Sequence, residues 1–385
     1  MGMSELNHPS LHRTWVEIDL DAIAENVGRL KQLAGGAIVM PALKADAYGH
    51  GAVRAAGAVL RGGAERLGVA TCLEGQALRE AGYGVPIQIF GACLPEEVRL
   101  AVRYNLTVSL HELHIAHLVA LAAVEAGRKV PVQFKVDTGM GRLGILPERA
   151  VEAAREISEL PGLHFEGVFM HFADPGDEAY SRFQLERFAV ACDALERAGV
   201  VGFVKHAANS AACVLYPEAR FDMIRPGSAV YGYLSPAWVG EKLPLIPAMA
   251  WRSAVIQVKD YPVGSNLGYS RTFTTRRPTR IAVLPVGYAD GFGRQFSNKA
   301  YVLLRGRRAP VVGMVSMDYA MVDVTGMDEI HPGTVATLMG EDRGASIRPE
   351  ELAEWGGTIP YCITCGIGQR VGRQYIEKGK TAAEN

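Results

Sequence analysis

Over its first two-thirds the chain alternates short apolar runs with longer amphipathic stretches, and this alternation narrows the available folds more than any other feature. Runs of strand character occur at Ile38–Leu43, Leu67–Thr71, Ile87–Phe90, Leu106–Leu110, Val130–Val136, Phe165–Met170, Phe203–His206 and Phe221–Ile224. Helical spacing fills the gaps. One helix is expected ahead of the first run, where Leu20, Ile23, Val27, Leu30 and Leu33 recur every three or four residues. Strand–helix alternation implies a mainly parallel sheet, either closed as a (β/α)8 barrel or open and doubly wound. Eight runs within roughly 230 residues match the size of a barrel. No Gly-x-Gly-x-x-Gly turn follows the first run, which speaks against an open dinucleotide-binding sheet.

After about Leu243 the pattern changes. Short β-type runs at Ala254–Val258, Arg280–Leu284, Tyr301–Leu304, Pro310–Met314, Met321–Val324 and Thr334–Leu338 are separated by turns rich in Gly, Pro and Asp. The expected architecture is therefore α/β: a (β/α)8 barrel over residues 12–243, then a mostly antiparallel β domain over residues 244–378. The Pro-rich stretch Leu234–Pro247 is the expected hinge. A chain of 385 residues exceeds one ordinary core, which agrees with two domains. Its formal net charge of −1 offers no attraction for nucleic acid or an acidic membrane face, so a small-molecule partner is expected. The segment Met1–Arg13 lacks the features of a leader, and no apolar run is long enough to span a bilayer, so the expected location is cytoplasmic. Only Cys362 and Cys365 of the six cysteines form a Cys-x-x-Cys pair, with no second pair nearby; packed thiols and no metal are expected.

A barrel gathers its chemistry at the carboxyl ends of its strands. Several runs end in reactive or polar residues: Lys44, Lys135 with Asp137, His171, Asn209 with Ser210, and Arg225. The segment Ala42–Gly51 delivers a lysine among small apolar neighbours, a setting that can lower an amine's pKa and suit it to Schiff-base and general-base chemistry. A lysine paired with Asp46 is the plainer alternative. Asn209–Ala212 and Arg225–Ser228, after the seventh and eighth runs, each offer backbone N–H groups, and together they suggest a phosphate cup. Asp137–Gly144 is a glycine-rich loop whose Arg142 carries the planar fork suited to a carboxylate or phenolate.

These blocks, taken in order, resemble the alanine racemase family over nearly the whole chain. The matches are ALKADAYGHG at Ala42–Gly51, KVDTGMGRLG at Lys135–Gly144, His171–Ala173, HAANSA at His206–Ala211, RPGSAVYG at Arg225–Gly232, Gly268–Tyr269, VGYADG at Val286–Gly291 and Ser316–Asp318. The resemblance implies pyridoxal 5'-phosphate as cofactor and a two-base interconversion of L- and D-alanine, supplying D-alanine for peptidoglycan. Lys44 would bear the cofactor and act as the base on one face of the substrate. Tyr269, contributed by the second subunit of a homodimer, would be the opposing base. Tyr48, Ser210 and the Gly227–Ser228 backbone would hold the phosphate, with Asn209 beside them. Arg225 would hydrogen-bond the pyridine nitrogen, and His171 would link Arg225 to the catalytic tyrosine. Arg142 would contact the phenolate oxygen and the substrate carboxylate, Met317 would offer its backbone N–H to that carboxylate, and Tyr288 would line the entrance. Lys135 matches a lysine that is carbamylated in some relatives.

One departure stands out. Many members carry a tyrosine just before an Arg-Val-Pro-Arg run, whereas here Gln369 precedes Arg370-Val371-Gly372-Arg373. This widens the expected substrate range, because one or two methylenes carry only about 1–3 kcal/mol of discrimination. A broad-specificity racemase for serine or basic amino acids is the first alternative. A basic amino-acid decarboxylase would bind phosphate through a glycine triplet, which the chain lacks. A non-catalytic cofactor carrier would lack the β domain and the opposing tyrosine.

Overall fold

The computed structural model describes residues 12–234 and 237–377. Residues 1–11 of the amino-terminal segment, residues 235–236 of the expected hinge and residue 378 of the expected β domain lie outside the described residues. The chain forms two compact units, one of residues 22–246 and one that joins residues 12–21 to residues 247–377.

The chain's first strand, β1 (Thr14–Asp19), belongs to the second unit. In the first unit the strands are β2 (Ile38–Val39), β3 (Leu67–Val69), β4 (Ile87–Ile89), β5 (Thr107–Leu110), β6 (Val130–Lys135), β7 (Leu163–Phe169), β8 (Val204–His206) and β9 (Met223–Ile224). Strands β3 to β8 pair in sequence order as one parallel sheet, and β2 pairs in parallel with β9. A parallel bridge between Ala42 and Gly68 joins β2 to β3. Asp222 N–H donates to Lys205 O at 3.0 Å and Arg225 N–H to Ala208 O at 2.8 Å, joining β9 to β8. The ring of eight strands is thereby closed, and the (β/α)8 barrel expected from the alternation is the fold. Most strands are shorter than their apolar runs: β2, β3, β4 and β6 stop before the run ends, where its last residues leave the sheet at the carboxyl end, whereas β5, β8 and β9 begin after the run starts.

The Leu20–Ala34 helix buries Ile23, Val27 and Leu30 completely. Asn26, on the same helix, donates to Val230 O and Ile246 O and accepts from Ile246 N–H. A buried amide with all these groups paired fixes the last turn of this unit against its first helix. The barrel interior is not uniformly apolar: Gln88, Ser109, Gln133 and His206 are fully enclosed, and Gln88 donates to Ser109 Oγ at 3.0 Å.

The second unit contains β10 (Met249–Ala254), β11 (Gln257–Tyr261), β12 (Asn266–Leu267), β13 (Phe273–Thr274), β14 (Thr279–Leu284), β15 (Tyr301–Leu304), β16 (Arg307–Pro310), β17 (Ala320–Asp323), β18 (Val335–Asp342), β19 (Ala345–Ile347) and β20 (Gly372–Ile376). The larger sheet runs β16-β15-β18-β10-β1-β20, with β19 on β18, and a smaller one runs β11-β14-β17. All these pairs are antiparallel except β1 with β20, so the domain is mostly antiparallel as expected. Strand β1 was not among the expected runs. Its partners, β10 and β20, lie at the far end of the sequence, and only there do Val16 and Ile18 become fully buried.

Opposite Val16 in the register stands Trp251, fully buried and edge-on to Phe292 at 5.9 Å. Its indole Nε1 has no hydrogen-bond partner among the described residues. Truncating Trp251 to Ala should therefore cost about 3–5 kcal/mol in urea denaturation. Trp251→Phe, which also deletes an unpaired buried donor, should cost less. Equal losses would contradict this account of the packing.

Candidate active site

Lys44 leaves the barrel immediately after the Ala42 bridge and is half-buried. The four residues after it, Ala45, Asp46, Ala47 and Tyr48, all have left-handed backbone, with φ between 52° and 56°. None is glycine, so the turn is strained by roughly 1–2 kcal/mol per residue and must be held by its surroundings. Glu74 Oε1 accepts from Ala45 N–H at 2.8 Å, and Asp46 Oδ1 accepts from Ala52 N–H at 2.7 Å. The Asp46 carboxylate thus caps the Ala52–Arg61 helix. Glu74 also accepts from Ala70 N–H, tying the lysine turn to the loop after β3.

This turn brings Tyr48 against the late barrel loops. The Tyr48 hydroxyl occupies the space beside Gly227, where a Cβ would lie only 2.4 Å from it. Ser210 Oγ accepts from Gly227 N–H at 2.8 Å and from Ala229 N–H at 3.2 Å. Asn209 turns its side chain to Ala212 N–H at 3.0 Å, and Ser228 is buried next to Gly227. Tyr231 braces the cradle from behind, stacking on His50 and donating to Ala42 O. The Ser210 hydroxyl therefore meets two backbone N–H groups, with the Tyr48 hydroxyl close by, at a position that only glycine leaves open, a cradle that fits a phosphate.

Beside the cradle lies a cluster of bases. Arg225 is buried, and burial pushes its guanidinium down to about 9, so it remains protonated near neutrality. It donates to His206 Nδ1 at 2.8 Å, to Met170 O at 2.6 Å and to Ala207 O at 3.0 Å. Lys135, at the end of β6, is pushed down to about 8 by burial and then by Arg142 and Arg225. The Phe169 ring lies under both, 5.6 Å from Lys135 Nζ and 5.3 Å from the Arg225 guanidinium. His171 is held well below the ordinary imidazole value by burial and then Arg225, so it is neutral. Arg142 is exposed, on a loop organised by Asp137, whose Oδ1 accepts from Gly139 and Gly141 N–H. A mouth that carries Arg225, Lys135 and Arg142, offset in part by Asp137, suits an anionic ligand.

In the second unit, Tyr269, Tyr288 and Met317 share the wall of a cavity of about 530 Å³ with Arg294 and Asp318. Tyr269 is 72% exposed in the single chain. Backbone hydrogen bonds from Tyr288 to Ser316 and from Ala289 to Met317 hold two of these segments together. Arg370 clamps the same region through Asp290 at 2.6 Å and Asp318 at 2.7 Å.

The structure thus gathers Lys44, Tyr48, Lys135, Asn209, Ser210, Arg225, Gly227 and Ser228 within one unit, and Tyr269, Tyr288 and Met317 within the other. Arg225 also meets an imidazole that the sequence analysis left without a role: His206 ends β8 with Nδ1 facing the guanidinium, while the half-buried His171 follows the Met170 carbonyl that Arg225 uses. His206 stood in the HAANSA block without a role, and Arg370 stood next to Gln369. Burial marks His206 and pairing with two carboxylates marks Arg370, and a sequence displays neither.

Comparison with known proteins is consistent across both units. A family model described as the alanine racemase N-terminal domain matches residues 18–235, and one described as the C-terminal domain matches residues 248–375. The alanine racemase of Symbiobacterium thermophilum is 42% identical over 372 residues, spanning 96% of this chain and 98% of its own length. That of Methanococcus maripaludis is 40% identical over 370 residues, spanning 95% and 99%. Among solved structures, alanine racemase from D-cycloserine-producing Streptomyces lavendulae superposes with a TM-score of 0.91 at 36% identity, over 95% of this chain and 97% of that one. Alanine racemase from Bacillus anthracis with bound L-Ala-P gives 0.91 at 32% identity, over 97% of each. The class is therefore that of an isomerase, an amino-acid racemase with a barrel and a β domain. The chain belongs to the alanine racemase family.

Because the cradle depends on the missing Cβ, Gly227→Ala should displace Tyr48 and destabilise the protein by about 1–3 kcal/mol in thermal denaturation. Adding Tyr48→Phe, which removes the crowded hydroxyl, should restore part of that loss. No recovery in the double variant would show that the crowding lies elsewhere.

Proposed function

We propose that this protein interconverts L-alanine and D-alanine using pyridoxal 5'-phosphate, as a cytoplasmic homodimer that supplies D-alanine for peptidoglycan. The observation that carries the reading is the meeting of Lys44, the Tyr48–Ser210–Gly227 cradle and a buried Arg225 at one barrel mouth. Each of the three fits a different part of that cofactor: an amine for the aldehyde, a hydroxyl-lined gap for the phosphate and a fixed cation for the ring nitrogen. Ser228 would add its backbone to the phosphate site, with Asn209 beside it. Pyridoxal phosphate, when bound, supplies the electron sink that makes an amino acid's α-proton removable.

The chain's own residues do the rest. Lys44 Nζ takes or returns the α-proton on one face of the substrate. Tyr269 of the partner subunit does so at its Oη on the other, so neither base has to cross the plane. The 72% exposure of Tyr269 in a single chain supports a base completed by a second copy. Tyr288 and Met317, on the same cavity wall, would line the entrance and present a backbone N–H to the substrate carboxylate. Arg142 would hold that carboxylate from the barrel side, with the phenolate oxygen. Arg225 keeps its own proton and leaves the ring nitrogen without one, which restrains electron withdrawal and disfavours transamination. A free phenol titrates near ~10, so Tyr269 needs a nearby acceptor and positive charge to work at neutrality. A neutral His171 and the Arg225 charge meet that need. With its ammonium pushed down to about 8, Lys135 has a share of neutral amine near neutrality, the form that reacts with carbon dioxide to give a carbamate.

Two experiments test the reading. Purified protein should show visible absorbance from bound cofactor that Lys44→Ala abolishes; a variant that keeps the band would overturn the role of Lys44. Loss of α-deuterium should slow by about 100-fold or more from L-alanine in Tyr269→Phe, and far less from D-alanine. Equal slowing of both enantiomers would sink the two-base assignment.

A further inference from the structure

Arg225 is the near end of a hydrogen-bonded chain that crosses the barrel interior. Its NH1 donates to His206 Nδ1 at 2.8 Å; His206 Nε2 meets Gln133 Oε1 at 3.0 Å; Gln133 Nε2 meets Glu166 Oε2 at 2.8 Å; and Arg66 NH1 meets the same oxygen at 2.8 Å. Arg225 follows β9 at the carboxyl-end mouth, while Arg66 immediately precedes β3 at the opposite end. The chain therefore spans the barrel.

Every link has only one polarity. A guanidinium has no acceptor, so His206 Nδ1 must be bare and its proton must sit on Nε2. That N–H needs an acceptor, which makes Gln133 present its oxygen and leaves its NH2 to face a carboxylate. Turning the amide over would set its NH2 against the His206 N–H and its oxygen against Glu166. His206 and Gln133 are both fully buried, so no water competes for these bonds. The other charged group acting on His206 is Arg66, and with burial and Arg225 it keeps the ring neutral. The Phe169 ring stacks on His206 at 5.0 Å and holds its plane.

The backbone of β7 is modified to let this chain through. Gln133 on β6 and His206 on β8 are not on neighbouring strands, because β7 runs between them. The β7 residue in between is Gly167, and a Cβ there would lie 2.0 Å from Gln133 Oε1. The β6–β7 register also slips at this point: Val132 pairs with Phe165 and Gln133 with Gly167, leaving Glu166 as the extra residue of a bulge. A bulge re-aims its side chain, and a glycine lets another group pass close to the backbone. Both irregularities of the strand serve the one chain of hydrogen bonds.

We propose that Glu166 is a positioning residue for Arg225, acting through Gln133 and His206 across the gap that Gly167 leaves in β7. Its carboxylate holds Gln133 in one orientation, Gln133 holds His206 in one tautomer, and His206 then accepts from Arg225 and fixes the direction of the guanidinium. Without that acceptor, His206 can move its proton to Nδ1, two donors face one another, and Arg225 turns away. The consequence for catalysis rests on the proposed reading, in which Arg225 meets the cofactor ring nitrogen.

The test uses purified protein labelled with 15N-histidine, the His206 signals being assigned by their absence in His206→Asn. The wild type should show bare Nδ1 and protonated Nε2 from about pH 6 to about pH 8. Gly167→Ala, which changes no charge, and Glu166→Gln should each move His206 towards the Nδ1–H tautomer. In Glu166→Gln, kcat for alanine should fall about tenfold with KM within about twofold. A wild-type His206 protonated on Nδ1 overturns the proposal, even if neither variant folds. So does an unchanged His206 signal in both variants, or an unchanged kcat in Glu166→Gln while the Lys44-dependent absorbance persists, a result that leaves the racemase reading intact.

Discussion

A guanidinium taken out of water must find acceptors for its N–H groups or lose its charge, and much of this barrel's interior is arranged around meeting that demand for Arg225. Among the described residues no carboxylate is bonded to it. It is held by two carbonyls and one imidazole nitrogen, with the Phe169 face below. Neutral acceptors keep the cation without quenching it, so its field still reaches the mouth, where it lowers Lys135 and His171. A carboxylate in direct contact would have cancelled that field. Glu166 stands two side chains away instead, orienting the acceptors while leaving the charge at the mouth.

The lysine turn meets a similar constraint by other means. Four successive left-handed residues without glycine are costly, and they persist because Glu74 and Asp46 accept from backbone N–H groups at both ends of the turn. The strained backbone places Tyr48 against Gly227, so local strain near Lys44 and the absence of a side chain at residue 227 belong to one arrangement. The β domain carries its residues differently. Tyr288 and Met317 sit on loops held together by main-chain bonds and by the Arg370 clamp, and Tyr269 lines the same cavity from a third segment.

Much of the barrel was legible because its strands are buried on both faces and read as apolar runs, and each of the eight runs overlaps a strand of the structure. The β domain was less legible. Its strands lie on sheets with one wet face, so Tyr301–Leu304 coincides with β15 while Ala254–Val258 straddles the end of β10 and the start of β11. Strand β1 was missed altogether: six residues with only Trp15, Val16 and Ile18 apolar carry no distinct pattern, and their partners lie at the other end of the chain. The single cut expected at residue 243 was likewise blind to residues 12–21 joining the second unit. In the site, motif blocks marked Lys44, Ser210 and Arg225, yet the bond from Arg225 to His206 was not legible, because sequence order says nothing about which imidazole faces inward.

What the sequence determined by itself was periodicity and residue type: alternation that requires a barrel, and motif blocks that supply an amine, an arginine and hydroxyls at strand ends. What only the tertiary structure decided was which polar groups are taken out of water and which then face one another. Gln133, Glu166, Gly167 and His206 are unremarkable as letters. Enclosure inside the barrel gives them meaning, because a buried donor or acceptor must find its partner, and that requirement exists only once the eight strands have closed around it.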